Sequence, residues 1–194
     1  MYYNFSDVRQ AGKQYQSRQY VYKSADALVQ ESAQFSEGRA YDIFLSHSFS
    51  DAEIILGIKY LIEEQGKTVY VDWIEDKGLD RRNVTAATAA ILRHRMRSCR
   101  SFIYATSQNS SQSKWMPWEL GYFDGFRPDN ISILPIVETY DSEWKGQEYL
   151  GLYPVIEKLN LNQTSTPFIV HDWNKLQLLK EFGDSYYTTY SRSR

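Results

Sequence analysis

The chain has 194 residues, room for one domain of ordinary size with a short appendage but not for two full domains. Its 42% hydrophobic, 15% aromatic and 24% charged residues form a globular composition, and 22 Lys plus Arg against 24 Asp plus Glu leave a net charge of −2, so no global basic field draws nucleic acid. The lone Cys99 cannot form an intramolecular disulfide, the opening MYYNFSDVRQ lacks the apolar stretch of a secretory signal, and no apolar run approaches the roughly 18 residues of a membrane span. A cytoplasmic protein without membrane or nucleic acid partners is expected.

Residues 1–39, rich in Gln, Ser and Tyr, read as an N-terminal extension with one helix over 25–37, begun by Ser24 as N-cap and stopped by Gly38. From Tyr41 onward, short apolar runs alternate with amphipathic stretches, the pattern of βαβ units in a mostly parallel sheet, and a domain over 40–183 is expected. The first strand is 41–46. A capping box, Ser50 with Glu53, opens a helix whose stripe is Ile54, Ile55, Ile58, Leu61 and Ile62, closed by Gly66. Strands follow at 68–72, 101–105 and 131–137, with a polar loop over 73–83, a helix over 84–98, a Ser/Gln/Asn loop over 106–113 and a short helix that includes 119–123. Beyond these, a helix near 155–159, a strand at 168–170 and a helix over 173–182 are expected, then a mobile tail, 184–194.

Several chemistries lack their parts. There is no GxGxxG or P-loop, no HxxxH pair among His47, His94 and His171, and no GxSxG elbow, so no metal and no bound cofactor are expected. Doubly wound sheets bind ligands outside the carboxyl ends of their strands, and here those ends carry Ser46, His47 and Ser48, then Asp72, then 106–109. The adjoining segment Ser113-Lys114-Trp115-Met116-Pro117-Trp118-Glu119 puts a tryptophan and a carboxylate four residues apart, one turn of a helix that has begun by Trp115.

At this point the chain resembles the Toll/interleukin-1 receptor (TIR) domain, specifically its bacterial enzymatic branch. The residues that carry the resemblance are Tyr41 to Ser46 (YDIFLS), Gly66 followed by Val69, Tyr70 and Asp72, and the WxxxE motif of Trp115 to Glu119. The animal receptor loop Arg-Asp-x-x-Pro-Gly is absent, and residues 73–82 read WIEDKGLDRR instead. The resemblance implies a flavodoxin-like α/β fold with a central parallel sheet of about five strands, and cleavage of the nicotinamide–ribose bond of NAD+ as substrate, with Glu119 as catalytic glutamate. It also implies ADP-ribose or a cyclic isomer as product, a signal role like that of the stand-alone TIR proteins of Thoeris-type antiphage systems, and a separate effector reached through the nucleotide. Self-association through TIR–TIR contacts is implied too, with the loop carrying Trp73 and Leu79 completing a neighbour's site; the alternative for that loop is a lid over the monomer's own pocket.

Each residue also has a plain structural role open to it. A glutamate in the first turn of a helix is favoured by the helix dipole whatever its function. Trp115 either stacks on a substrate ring or supports the pocket wall. Asp72 binds substrate or caps the next turn, and Ser46 and His47 contact phosphate or nicotinamide or hold the turn. The arginines Arg81, Arg82, Arg93, Arg95, Arg97 and Arg100 are expected to form a solvated face. Two other functions compete: a non-catalytic TIR–TIR interaction module, and a nucleoside deoxyribosyltransferase-like enzyme.

Overall fold

A computed structural model describes residues 2–26, 40–76, 85–139, 142–158, 168–171 and 176–178. The chain runs β1 (Tyr3–Asn4), α1 (Phe5–Asp26), β2 (Tyr41–Ser46), α2 (Ala52–Glu63), β3 (Val69–Tyr70), α3 (Asp72–Glu75), α4 (Ala86–Arg97), β4 (Cys99–Thr106), α5 (Trp115–Asp124), β5 (Ile131–Val137), β6 (Val155–Lys158), β7 (Phe168–His171) and β8 (Leu176–Leu178). The sheet order is β3-β2-β4-β5-β6-β7-β8. Its first five strands are parallel, as the flavodoxin-like reading requires, and β7 and β8 extend it antiparallel. The order reverses between β2 and β4, which makes their carboxyl ends the switch point where such sheets bind ligands. Among the described residues no helix is long and apolar enough to cross a membrane.

Strict alternation along the strands sorts the core into two layers. Ile43, Leu45, Val69, Val71, Ile103, Ala105, Leu134 and Ile136 face α1 and α2, where they meet the Ile54, Ile55, Ile58 and Ile62 stripe. Phe44, Tyr70, Phe102, Tyr104, Ile131 and Ile133 face the other way, towards α4 and α5, and the rings of Phe44 and Phe102 stack at 5.6 Å. Gly66, at φ +75°, takes the left-handed turn that ends the α2 segment. On the edge strand β3 the carbonyl of Val69 is covered by Lys59 Nζ, which donates to it at 2.9 Å.

Several local expectations are corrected. Ser24 lies inside α1, so it does not start a helix, and the rest of the expected helix, 27–37, lies outside the described residues. The cap is Asn4 instead, whose Oδ1 accepts the Asp7 amide at 2.9 Å. The Ser50/Glu53 capping box does not form: 49–51 is a 3-10 turn, and Glu53 faces Arg9 at 3.4 Å. The second strand stops at Tyr70, and Asp72 opens α3. The expected helix near 155–159 is strand β6, because Val155 and Ile156 are β-branched and follow Pro154. Within the expected helix over 173–182, Leu176–Leu178 is strand β8 paired to β7. The tail 184–194 lies outside the described residues.

The segment read as an extension contributes to the sheet, since Tyr3 and Asn4 pair parallel with Ile136 and Val137. Behind them α1 crosses α2 at unusually short range: a Cβ on Gly57 would stand 1.9 Å from the Val8 carbonyl oxygen. A backbone oxygen cannot step aside as a flexible side chain would. Gly57→Ala is therefore expected to push α1 off α2, at a cost of about 2–3 kcal/mol. Chemical denaturation measures the loss, and limited proteolysis should cut the N-terminal segment faster than in wild type.

The arginine face has more structure than simple solvation. Arg93 lies over Trp118 at 5.3 Å and Arg97 over Phe126 at 5.1 Å, so guanidinium groups of α4 cover the aromatic rings that α5 and the turn after it present. Arg95 turns inward. Its Nε and Nη2 donate to both oxygens of buried Asp76 at 2.9 and 2.7 Å, and the Tyr70 hydroxyl donates to the same carboxylate at 2.6 Å. Burial by itself would lift the Asp76 carboxyl, but the Arg95 and then the Tyr70 hydrogen bonds override it and hold the group below the usual carboxylate range.

Candidate active site

The β2 strand ends in Ser46 because the apolar alternation stops there, and α5 begins at Trp115, where Ser113 Oγ accepts the Met116 amide at 3.3 Å. Pro117 is tolerated as the third helical residue, whose amide has no intrahelical partner. One turn on, Glu119 points at the sheet. Its Oε2 accepts the Ser46 hydroxyl at 2.6 Å, and both residues have 0% exposure. The helix-dipole explanation is thereby corrected: Glu119 is the fifth residue of α5, past the first turn, and it is buried. A carboxylate taken out of water costs several kcal/mol unless hydrogen bonds offset it, so this placement is not a neutral surface choice.

Tyr104 of β4 stands in register with Ser46. Burial, its hydrogen bond with Tyr149 and the nearby Glu119 carboxylate push the Tyr104 phenol above its ordinary range, so it stays protonated. Tyr149 in turn donates to Gln147.

His47, the next residue along, forms a second group. The Trp73 indole Nε1–H can only donate, and it lies 3.0 Å from His47 Nε2, so that nitrogen is the acceptor. The ring proton is therefore on Nδ1, which donates to the Leu45 carbonyl at 2.8 Å. Asp72 Oδ1 approaches Nε2 to 3.6 Å, and Asp72 and His47 are both buried. His47 thus ties the start of α3 to the end of β2.

The structure brings Ser46 and Glu119 together on the α5 side of the sheet, and His47, Asp72 and Trp73 together at the β3 end, the two groups meeting at the Ser46–His47 junction. Trp115 shares the helix with Glu119, but its ring packs edge-on to Trp118 at 5.3 Å within the aromatic layer. Leu79 lies outside the described residues. Phe49, 69% exposed, stands on the loop that follows Ser46. Among the described residues no three His, Cys, Asp or Glu side chains are grouped to hold a metal ion.

No family model matches the chain. A protein of Bacillus cereus named a probable 3′ cyclic ADP-D-ribose synthase ThsB′ is 52% identical over 150 residues, 76% of this chain and 77% of that protein. The chain belongs to the bacterial TIR family of that protein. A second relative, from Cytobacillus dafuensis and named a putative cyclic ADP-D-ribose synthase TIR2, is 30% identical over 93 residues, 47% of this chain and 24% of its own.

In this TIR protein two polar residues near the Ser46–Glu119 and Asn109 strand ends, Tyr104 and Asp51, were not singled out from sequence. Tyr104 was legible in principle, because period-two alternation from Phe102 puts it on one face with Ser46's partner position. Asp51 was not, since its contact with Asn109, a residue of the expected 106–109 strand end, spans 58 residues: Asp51 accepts from Asn109 Nδ2 at 2.7 Å and from Ser107 Oγ at 2.5 Å.

Proposed function

We propose that this TIR protein cleaves the nicotinamide–ribose bond of NAD+ and joins the freed ribose carbon to the adenosine half of the same molecule, giving nicotinamide and a cyclic ADP-ribose isomer, with ADP-ribose as the hydrolytic by-product. The observation that carries this reading is the Glu119 carboxylate, buried at the switch point of the sheet and accepting the Ser46 hydroxyl at 2.6 Å. The names of both relatives, a probable and a putative cyclic ADP-D-ribose synthase, support it.

The chemistry needs little more than one well-placed anion. As the C1′–N bond breaks, its electron pair goes to the pyridinium nitrogen, so nicotinamide leaves neutral and needs no acid, unlike the alkoxide in ordinary glycoside cleavage. Positive charge develops on the ribose ring. A carboxylate about 4 Å from that charge stabilises it by about 4 kcal/mol at the effective dielectric of a protein site, on the order of a thousandfold in rate. Ser46 keeps the carboxylate aimed before substrate arrives, so little reorganisation is needed during the reaction. Attack on C1′ by a group of the adenosine half then releases one proton, which Glu119 accepts and passes to solvent. Cyclisation wins over hydrolysis to the extent that the closed cleft keeps water from C1′.

The further elements of the reading are a place in bacterial antiphage defence through a nucleotide signal to a separate effector, action in the cytoplasm, and turnover that depends on TIR–TIR self-association, with Trp73 and Leu79 next to the incoming substrate. Incubating the purified protein with NAD+ and separating products by chromatography with mass detection tests the core of it. Nicotinamide should appear in an amount equal to the sum of a product one water lighter than ADP-ribose and ADP-ribose itself, the lighter product in excess, and turnover per subunit should rise with protein concentration. Intact NAD+ at all concentrations would exclude the proposal, and release of free base from a deoxynucleoside would move the protein to nucleoside chemistry.

A further inference from the structure

Asp51 sits in the position before α2, where an aspartate ordinarily turns its carboxylate back to the free amides of the helix's first turn. It makes no capping hydrogen bond here. Both oxygens instead reach across to the loop between β4 and α5: Oδ2 accepts the Ser107 hydroxyl at 2.5 Å and Oδ1 accepts Asn109 Nδ2 at 2.7 Å, with Asp51 only 2% exposed. A buried carboxylate spent on two partners 56 and 58 residues away, at the expense of the local cap, fixes the distance between two loops.

Those loops carry the two halves of the candidate site. Asp51 follows Ser46 by five residues, and its amide donates to the Ser48 carbonyl at 3.0 Å. On the far side the loop is wired to α5 step by step. The Asn109 amide donates to Ser107 Oγ at 3.0 Å, and the Ser107 amide to Ser110 Oγ at 2.7 Å. The Gln112 amide donates to the Asn109 carbonyl at 3.2 Å, the Ser113 amide to the Ser110 carbonyl at 3.1 Å, and Ser113 Oγ receives the Met116 amide. A displacement at Asn109 is therefore passed along to the start of α5, and with it to Glu119.

We propose that Asp51 is a positioning residue: through Ser107 and Asn109 it sets the α5 end against the β2 end, and so holds Glu119 where the ribose charge develops. The inference rests on the NAD+-cleaving reading of the site. It is distinct from a general stabilising role, because it acts on turnover by correctly folded protein.

The test is steady-state NAD+ turnover with kcat and KM separated, at a temperature well below each variant's melting point. Asp51→Ala should lower kcat about 10- to 100-fold with KM changed far less, the penalty of an ångström-scale misplacement of the catalytic group. Asp51→Asn should recover most of the loss, since Asn109 can turn its amide to offer an oxygen and re-form the link. Asn109→Ala should lose part of the rate, and the Asp51→Ala/Asn109→Ala pair should be no worse than Asp51→Ala alone. Hydrogen exchange over 107–116 should speed up in the same variants. A folded Asp51→Ala protein with wild-type kcat, or losses that add, would overturn the positioning role. Should Asp51→Ala fail to fold, Ser107→Ala and Asn109→Ala decide the matter, and wild-type kcat in both overturns it. Wild-type protein without NAD+ turnover, or Glu119→Gln retaining it, sinks the reading of the site; a dead Glu119→Gln beside a fully active Asp51→Ala sinks only this inference.

Discussion

Glu119→Gln should lower NAD+ cleavage by about a thousandfold or more while the protein melts within a few degrees of wild type. The amide has the shape of the carboxylate and its oxygen can still accept the Ser46 hydroxyl, so packing and the buried hydrogen bond survive. What disappears is the negative charge that the proposed mechanism sets opposite the ribose, which at about 4 Å is worth about 4 kcal/mol of transition-state stabilisation. The loss should fall on kcat, because the ground-state ribose gains much less from that charge than the transition state. Single-turnover measurement of nicotinamide release, with circular dichroism to follow folding, checks both halves. Near-normal release from a folded variant would remove Glu119 from the mechanism.

Asp76→Asn should cost about 3 kcal/mol of stability at neutral pH, because it leaves the Arg95 guanidinium buried opposite an uncharged amide that offers one acceptor where the carboxylate offers two. For a chain of this size that is a drop of about 6–12 °C in melting temperature. The pH dependence has a definite sign. The folded-state pKa of Asp76 is depressed, so its contribution is complete above the unfolded value of about 3.9 and is lost as pH falls through the folded value. The gap between wild type and Asp76→Asn should therefore be widest near pH 7 and close on acidification below about pH 4. Denaturant titrations at stepped pH read this directly, and a gap independent of pH would mean the pair contributes nothing through its charge.

The parts of the fold that could be read from the chain are those where burial imposes a period. The β2 and β5 strands fall at the expected residues, and of the α2 stripe Ile54, Ile55, Ile58 and Ile62 are buried and Leu61 is partly buried, because both kinds of element press one apolar face on the sheet. The misreadings share one cause, which is partners distant in sequence. Val155 and Ile156 suit a short helix or a strand about equally, and only the free edge of β5 decides for a strand. The first helix, α1, has little amphipathic signal of its own, since it meets α2 through Val8, Ala11 and Gly12 at a crossing that Gly57 opens from the other side. An isolated glycine inside the α2 pattern was the one available hint of a close approach.

At the site, Ser46 and Glu119 could be placed from motif and strand end, but the direction of their hydrogen bond and the burial of both could not. His47 shows the limit most plainly. The sequence left it between contact with substrate and holding the turn, and its geometry, with Nε2 accepting the Trp73 indole and Nδ1 donating to Leu45, braces β2 against the start of α3. Cross-loop links such as Asp51 to Asn109 have no sequence period at all.

The central claim is that the Ser46–Glu119 pair faces the scissile bond of NAD+. A crystal structure of the Glu119→Gln protein with NAD+ tests it most directly, since the slowed variant should hold the intact dinucleotide. The nicotinamide ribose should lie with its hydroxyls within hydrogen-bond distance of the side chain at position 119, and with C1′ about 4 Å from it. NAD+ bound with its nicotinamide ribose away from Ser46 and position 119, for instance beyond the β8 edge, would contradict the account.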